Sequence, residues 1–273
     1  MRLINQTVSR RGRFLLGAIP FVALIAVYAV ASHIRRAENP ADKLLPSLGA
    51  MSDAFVRMAF SPEKRSGDYL LWADTADSLV RLGLGVAISA LLALCVGIAI
   101  GFIPKVRAGL APVVAAISLI PPLAVLPILF IVFGLGELAK VALIIIGIMP
   151  VMTRSMAQAV GEIPTEQIVK AQTLGASTWQ MIVRVVLPQV VPKLITATRL
   201  ALGPAWIFLI SAEAIAATGG LGYRIFLVRR YLAMDIILPY VAWITCLAFL
   251  LDQALRGVSR RLFAWAHLSG GEL

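Results

Sequence analysis

The sequence predicts an all-α polytopic membrane protein, a helical bundle with about six transmembrane helices. Three observations carry that expectation. Hydrophobic residues make up 60% of the 273 and charged residues 14%, where soluble domains run at roughly 45–50% and 25%. The mean hydropathy is +0.89. Uncharged stretches recur at the length a helix needs to cross a bilayer, about 20 residues. A soluble fold cannot hide that much apolar surface. A disordered chain, a disulfide scaffold and a nucleic-acid-binding domain are excluded with it. The net charge of +11 fits cationic loops holding apolar helices at a membrane, with lipid and not nucleic acid as the partner.

The elements follow in chain order. The first apolar run, 14–33, follows Arg10, Arg11 and Arg13. It is too long for a signal peptide and lacks a small-residue cleavage site, so it reads as a retained span. Residues 35–77 form a polar connection. Within it 47–60 carries Leu48, Met51, Phe55 and Met58 at helical spacing and reads as an interfacial helix. Residues 82–104 and 108–136 are uncharged and predict the second and third spans. The fourth, about 137–159, must borrow polar flanks. The fifth, 200–222, is apolar except for Glu213, and the sixth, 236–255, except for Asp252. Charge inside a span predicts a helix facing the bundle interior, so the last three spans are expected to be the more buried. Domain organisation follows: residues 1–78 are an N-terminal span and outer connection, 79–265 a core with a loop at 160–192, and 266–273 a tail.

Six spans put both termini on one side. With both inside, that side holds 14 basic and 4 acidic residues, net +10, against +1 outside. The bias places both termini and Gln180 in the cytoplasm and Ser66 outside. Cys95 and Cys246 sit in separate apolar runs, and His33 and His267 lie near opposite ends, so neither a disulfide nor a metal site is expected.

The loop is the most informative segment. Pro164, Thr165 and Glu166 suit the start of a helix that runs to Leu174. Gly175 suits the left-handed residue that ends it. Ser177 suits the cap of a second helix, 178–187, which Pro188 is expected to stop. The segment is too polar to span, and by pattern alone an ordinary surface connection is an equal reading.

This hairpin resembles the "EAA" loop of the inner-membrane permease subunits of ABC importers, whose pattern is Glu-Ala-Ala, three residues, Gly, nine residues, Ile-x-Leu-Pro. Ala171, Gly175, Leu187 and Pro188 fall in register. Val185 replaces the Ile, and Val169 and Lys170 replace the Glu-Ala pair. The stretch Ala171 to Ser177, with Leu174 and Ala176, resembles the branch importing nitrate, sulfonates, taurine and bicarbonate. So do Ile120 to Pro127 with Phe133 to Glu137, Ala212 to Gly222, and the ending around Arg260 and Trp265.

The resemblance implies a type I importer permease in the bacterial inner membrane that moves a small solute, an anion on branch similarity, by alternating access. It implies a permease homodimer, a dimer of separate ABC ATPase subunits that hold ATP and Mg, and a periplasmic solute-binding protein. The loop would be the coupling element, with Glu166 standing in for the missing acidic residue beside Lys170. The chain itself is not expected to be an enzyme. It contains no Gly-Lys pair and therefore no phosphate loop, and no catalytic triad or carboxylate pair is spaced for chemistry.

Four residues inside the spans are candidates for the solute pathway or gate. Glu213 is costly in a membrane and marks either a pathway or an interhelical ion pair, with Arg81 as partner. Pro121 and Pro122, with Pro127 beyond them, break the third span and either line a path or kink a packed helix. Trp206 either packs or contacts solute. The spacing of Gly97 and Gly101 permits close helix approach. Two other functions stay open: a self-contained secondary transporter, which would need internal repeats or more intramembrane charge, and a permease of the same family for a neutral or cationic nitrogen compound.

Overall fold

The computed structural model describes residues 9–39, 42–63 and 67–267. Ser66 and the tail beyond His267 lie outside the described residues. Eleven α-helices are described, with no strand among those residues. Five helical segments among the described residues are long and apolar enough to span a membrane, and the count is six if one bent pair of helices is a single broken span.

The first helix, α1 (Arg10–Glu38), starts at Ser9, whose hydroxyl accepts from Gly12 N at 3.1 Å. It packs against no core residue. Two hydroxyls tie it to the chain before α2: Tyr28 donates to Pro46 O at 2.8 Å and Ser32 to Leu45 O at 3.0 Å. The expected interfacial helix is α2 (Leu48–Phe60), capped by Ser47. Ala54 and Ala59 are buried beneath it. The Trp243 ring stacks edge-on against Trp72, centroids 5.6 Å apart.

The centre of the bundle is α3 (Leu70–Phe102) against α6 (Glu137–Gly161). Along α3 a small residue recurs every fourth position: Gly85, Ser89, Ala93, Gly97 and Gly101, all buried. Fourfold spacing lines these residues up on one face, and the missing side chains let α6 come close. A Cβ at Gly85 would stand 2.7 Å from Ile144 Cγ2, and one at Gly101 2.5 Å from Val160 Cβ; Gly97 faces Met156 as tightly. The close approach expected from Gly97 and Gly101 is thus made, and it extends over four turns.

The third span is not one straight helix. The chain forms α4 (Pro104–Ile117) and α5 (Pro122–Phe133), bent 95° apart. Each is about 20 Å long, short of the roughly 30 Å of hydrocarbon. The break falls where Pro121 and Pro122 were expected to interrupt the span. Pro121 and Pro122 lack N–H groups, so the first helix ends and Pro121 becomes the cap of the next.

The fifth span corrects two expectations. Pro188 does not stop the loop's second helix. Thr178–Ala216 is continuous, through α8 (Thr178–Met181), a π turn (Ile182–Val186) and α9 (Leu187–Ala216). Pro188 sits in the first turn of α9, where its missing N–H is tolerated, and the wide π turn before it accommodates the ring. The span also ends at Ala216, before the predicted 222. The short α10 (Leu221–Arg229) and α11 (Met234–Leu262) follow, then a 3₁₀ turn at Ala264–His267.

The last three spans are not uniformly the more buried. Only 17% of the apolar window of α11 is buried, against 33% for α3. Asp252 misled that expectation: it meets Arg199 at 2.8 Å in a partly exposed pair between α11 and α9, not in the interior.

Candidate functional site

Charged side chains gather at the two ends of the bundle, and the ends differ in construction. One end carries a closed clamp. Asp74, Ser78 and Arg81 lie on one face of α3 at helical spacing. Arg81 reaches three elements at once. Its Nη1 donates to Glu213 Oε1 at 2.7 Å and to Gly219 O at 2.8 Å, and its Nε and Nη2 hold the two oxygens of Glu137 at 2.5 and 3.0 Å. Glu213, fully buried in α9, also accepts from the Ser78 hydroxyl at 2.8 Å and from Gly222 N at 2.9 Å. Lys140, itself buried, meets Glu137 at 2.8 Å.

A second pair extends the clamp. Asp74 holds Arg224 of α10 at 2.8 Å, and accepts from Tyr240 Oη at 3.2 Å and from Gly220 N at 3.1 Å. The turn at 217–220 is threaded between these groups. Gly220 has φ +120, and a Cβ there would stand 2.5 Å from Glu213 Oε1 and 2.7 Å from Arg81 Nη1. Only glycine fits.

The four pathway candidates do not converge. Glu213 has the geometry of a paired, fully hydrogen-bonded carboxylate. Trp206 is buried in the core, and its indole N–H has no partner among the described residues. Pro121 is exposed and Pro122 half-buried at the α4–α5 bend. A cleft of about 190 Å³ between α6 and α9, with Gly147, Ser155 and Pro204 on its walls, includes none of the four.

The other end carries an open hairpin. Its first arm is α7 (Thr165–Thr173), with Pro164 at the cap position rather than inside the first turn. Gly175 has φ +79, as the turn requires. The backbone N–H of Gly175 donates to Gln172 O at 2.9 Å and that of Ala176 to Ala171 O at 3.0 Å, so the turn closes on the end of α7. Ser177 and Gln180 form a reciprocal capping box on the second arm. Gln189 ties α9 back to Gln167 at 3.0 Å. The exposed Glu162 carboxyl lies below the usual carboxylate range, held there first by its hydrogen bond to Lys193 and then by that residue's charge.

All nine predicted loop residues lie in this hairpin and its root. Glu166, Lys170, Leu174, Gly175, Ser177 and Pro188 are exposed, while Ala171, Ala176 and Leu187 are half-buried. Sequence reasoning missed Trp179, which is 71% exposed beside Leu174 at 80%. An aromatic one residue past a capped helix start, in a loop too polar to span, was the available signal. It also missed Asp74, Ser78, Lys140, Arg224 and Tyr240 of the clamp. The i, i+4, i+7 spacing of Asp74, Ser78 and Arg81 was readable, but their partners between Glu213 and Tyr240 sit more than 130 residues away.

Residues 85–264 match the family described as binding-protein-dependent transport system inner membrane component. The taurine transport system permease protein TauC of Escherichia coli (strain K12) is 40% identical over 198 residues, 72% of each chain. The bicarbonate transport system permease protein CmpB of Synechococcus elongatus is 32% identical over 195 residues, 70% of this chain and 69% of that one. Among solved structures, an inward-facing MetNI methionine ABC transporter superposes with a TM-score of 0.63 at 22% identity, covering 73% of this chain and 99% of that one.

Proposed function

The chain belongs to the inner-membrane components of binding-protein-dependent transport systems, in the branch of taurine, sulfonate and bicarbonate permeases, and from that premise we propose that it carries a taurine-like alkanesulfonate inward. It is the membrane permease of an ABC importer. It works as a homodimer, with a separate ATPase dimer holding ATP and Mg and a periplasmic binding protein delivering solute. Both termini are cytoplasmic.

The observation that carries the coupling part of this reading is the hairpin. Leu174 and Trp179 stand exposed at the tip of a polar, well-capped turn. Exposed aromatic and aliphatic side chains on a rigid polar mount are the composition of an interface anchor. The groove of an ATPase subunit is the surface that would cover them, and closure of the ATPase dimer would then move the arm continuous with α9. Rotation of α9 carries force along an unbroken helix from Thr178 to Ala216.

The solute class rests on the higher identity to the taurine permease than to the bicarbonate one. An unpaired Glu213 would have repelled any anion. Its pairing with Arg81 removes that obstacle. The test is uptake into proteoliposomes holding the permease, its ATPase and its binding protein. Labelled taurine should enter with ATP inside, and unlabelled nitrate or bicarbonate in excess should not compete. Uptake of bicarbonate with taurine ignored would overturn the solute assignment. Orientation is tested separately in a variant lacking Cys95 and Cys246. A cysteine placed by Ser61→Cys should react with an impermeant maleimide in intact cells and one placed by Gln180→Cys should not; reversed labelling would overturn it.

A further inference from the structure

The first helix leaves a gap beside the bundle. Among the described residues none of α1 joins the buried hydrophobic core, and the helix is tied to the chain that follows it by the Tyr28 and Ser32 hydroxyls and the Arg35–Asp42 ion pair. Beginning at Tyr28, which lines it, an apolar groove of about 600 Å³ separates α1 from α2 and α11. Leu24 and Ile25 form one wall, Phe55 the roof, and Pro239, Trp243 and Cys246 the other wall. Directly beyond the groove, the same three elements build a polar pocket of about 460 Å³. Arg36 of α1, Lys43 and Ser47 before α2, and Asp235 of α11 line it, with Tyr231 at its edge.

We propose that the two cavities together form the site of one anionic glycerophospholipid. Its phosphodiester lies against Arg36 and Lys43 and an acyl chain fills the groove between α1 and α11. Three observations favour this occupant. The first is depth. From Arg36 to Leu24 on α1, and from Asp235 to Cys246 on α11, is about 16–18 Å along a helix axis, close to the roughly 15 Å of hydrocarbon in one leaflet.

The second is charge. Asp42 is taken by Arg35 in an ion pair. Of the charged residues lining the pocket this leaves Arg36, Lys43 and Asp235, one positive charge in excess. A phosphodiester supplies the missing negative charge. The third is packing. Helices in a bilayer are held together by close contact, since lipid competes for every apolar face. A groove this size beside a helix held at one end is filled by something apolar, and the polar cap above it selects a molecule with both parts. On the orientation proposed above this is an outer-leaflet lipid, but the site itself does not depend on that orientation.

The test is native mass spectrometry of the full-length permease, purified in mild detergent and offered phosphatidylglycerol or phosphatidylcholine of the same chain length. We expect one phosphatidylglycerol per chain to survive collisional release, with phosphatidylcholine retained about tenfold less or worse. Arg36→Gln with Lys43→Gln should abolish the preference, and Ala242→Trp, which fills the groove wall, should lower retention of both lipids. Equal retention of the two lipids by the unaltered protein would mean annular lipid only and would overturn the site, whatever the variants do. So would an unchanged preference in the Arg36, Lys43 double variant.

Discussion

The two ends of the bundle carry polar side chains of the same kinds and use them in opposite ways. At the clamp, Arg81, Glu213, Asp74 and Arg224 find partners inside the chain, and Glu213 is sealed from solvent. At the hairpin, Glu166 and Lys170 face outward, and Leu174 and Trp179 are exposed beside them. The difference separates two kinds of importance. A buried charge with every lone pair satisfied is part of the fold, and its removal leaves a partner stranded. An exposed apolar tip on a capped turn contributes little to the fold and is available to a second molecule. Intramembrane charge alone did not distinguish the two; geometry does.

The comparison breaks most visibly at the clamp. Arg81→Ala leaves the Glu213 carboxylate buried and unpaired, which costs about 3–5 kcal/mol. The variant should accumulate poorly in membranes and unfold at lower denaturant. Arg81→Met combined with Glu213→Leu should be less damaging than the single change, because no lone charge remains. A double variant that is as poorly tolerated as the single would mean that a stranded charge is not the cause of the loss.

A smaller loss is expected in the α3–α6 seam. Gly97→Leu forces a side chain onto Met156, and overpacking of this kind costs about 1–3 kcal/mol. The same substitution at Gly83, where a Cβ meets nothing within 4 Å, should leave thermal stability unchanged. At the hairpin, Trp179→Ala should leave the stability of the permease within about 0.5 kcal/mol while weakening retention of the ATPase on affinity purification. Equal retention would mean that the exposed ring is not an anchor. The smallest effect is at the hairpin root. The Glu162 carboxyl is depressed by Lys193, so any stability it lends is present at neutral pH and lost as pH falls through its lowered value. Glu162→Gln should flatten that acid dependence slightly, by lowering stability a little at pH 7 and leaving it unchanged in acid.

Much of this architecture was legible in sequence, and the failures share a cause. Apolar runs located the spans because a bilayer demands length and hydrophobicity from each segment by itself. The hairpin was legible because its signals are local: Gly175 for positive φ, Ser177 for a cap. The clamp was legible only in its Arg81–Glu213 pair, because a lone carboxylate inside an apolar span calls for a cation, while nothing local marks the partners of Asp74 and Ser78. The α4–α5 break was legible from Pro121 and Pro122, whereas the continuity through Pro188 was misread. Proline has one local chemistry, and whether it ends a helix or opens one depends on the turn before it. At Pro121 the helix had already ended; at Pro188 a π turn let it continue.

The central claim is that the hairpin couples a self-sufficient membrane bundle to a separate ATPase, and Gly175→Val tests it most directly. A valine at φ +79 strains the backbone by about 1–2 kcal/mol, and no atom outside the turn lies within 4 Å of the new Cβ. The account predicts near-normal membrane accumulation, with ATPase co-purification, solute-stimulated hydrolysis and taurine uptake all falling together. A variant that keeps its ATPase and transports like the unaltered protein would contradict it.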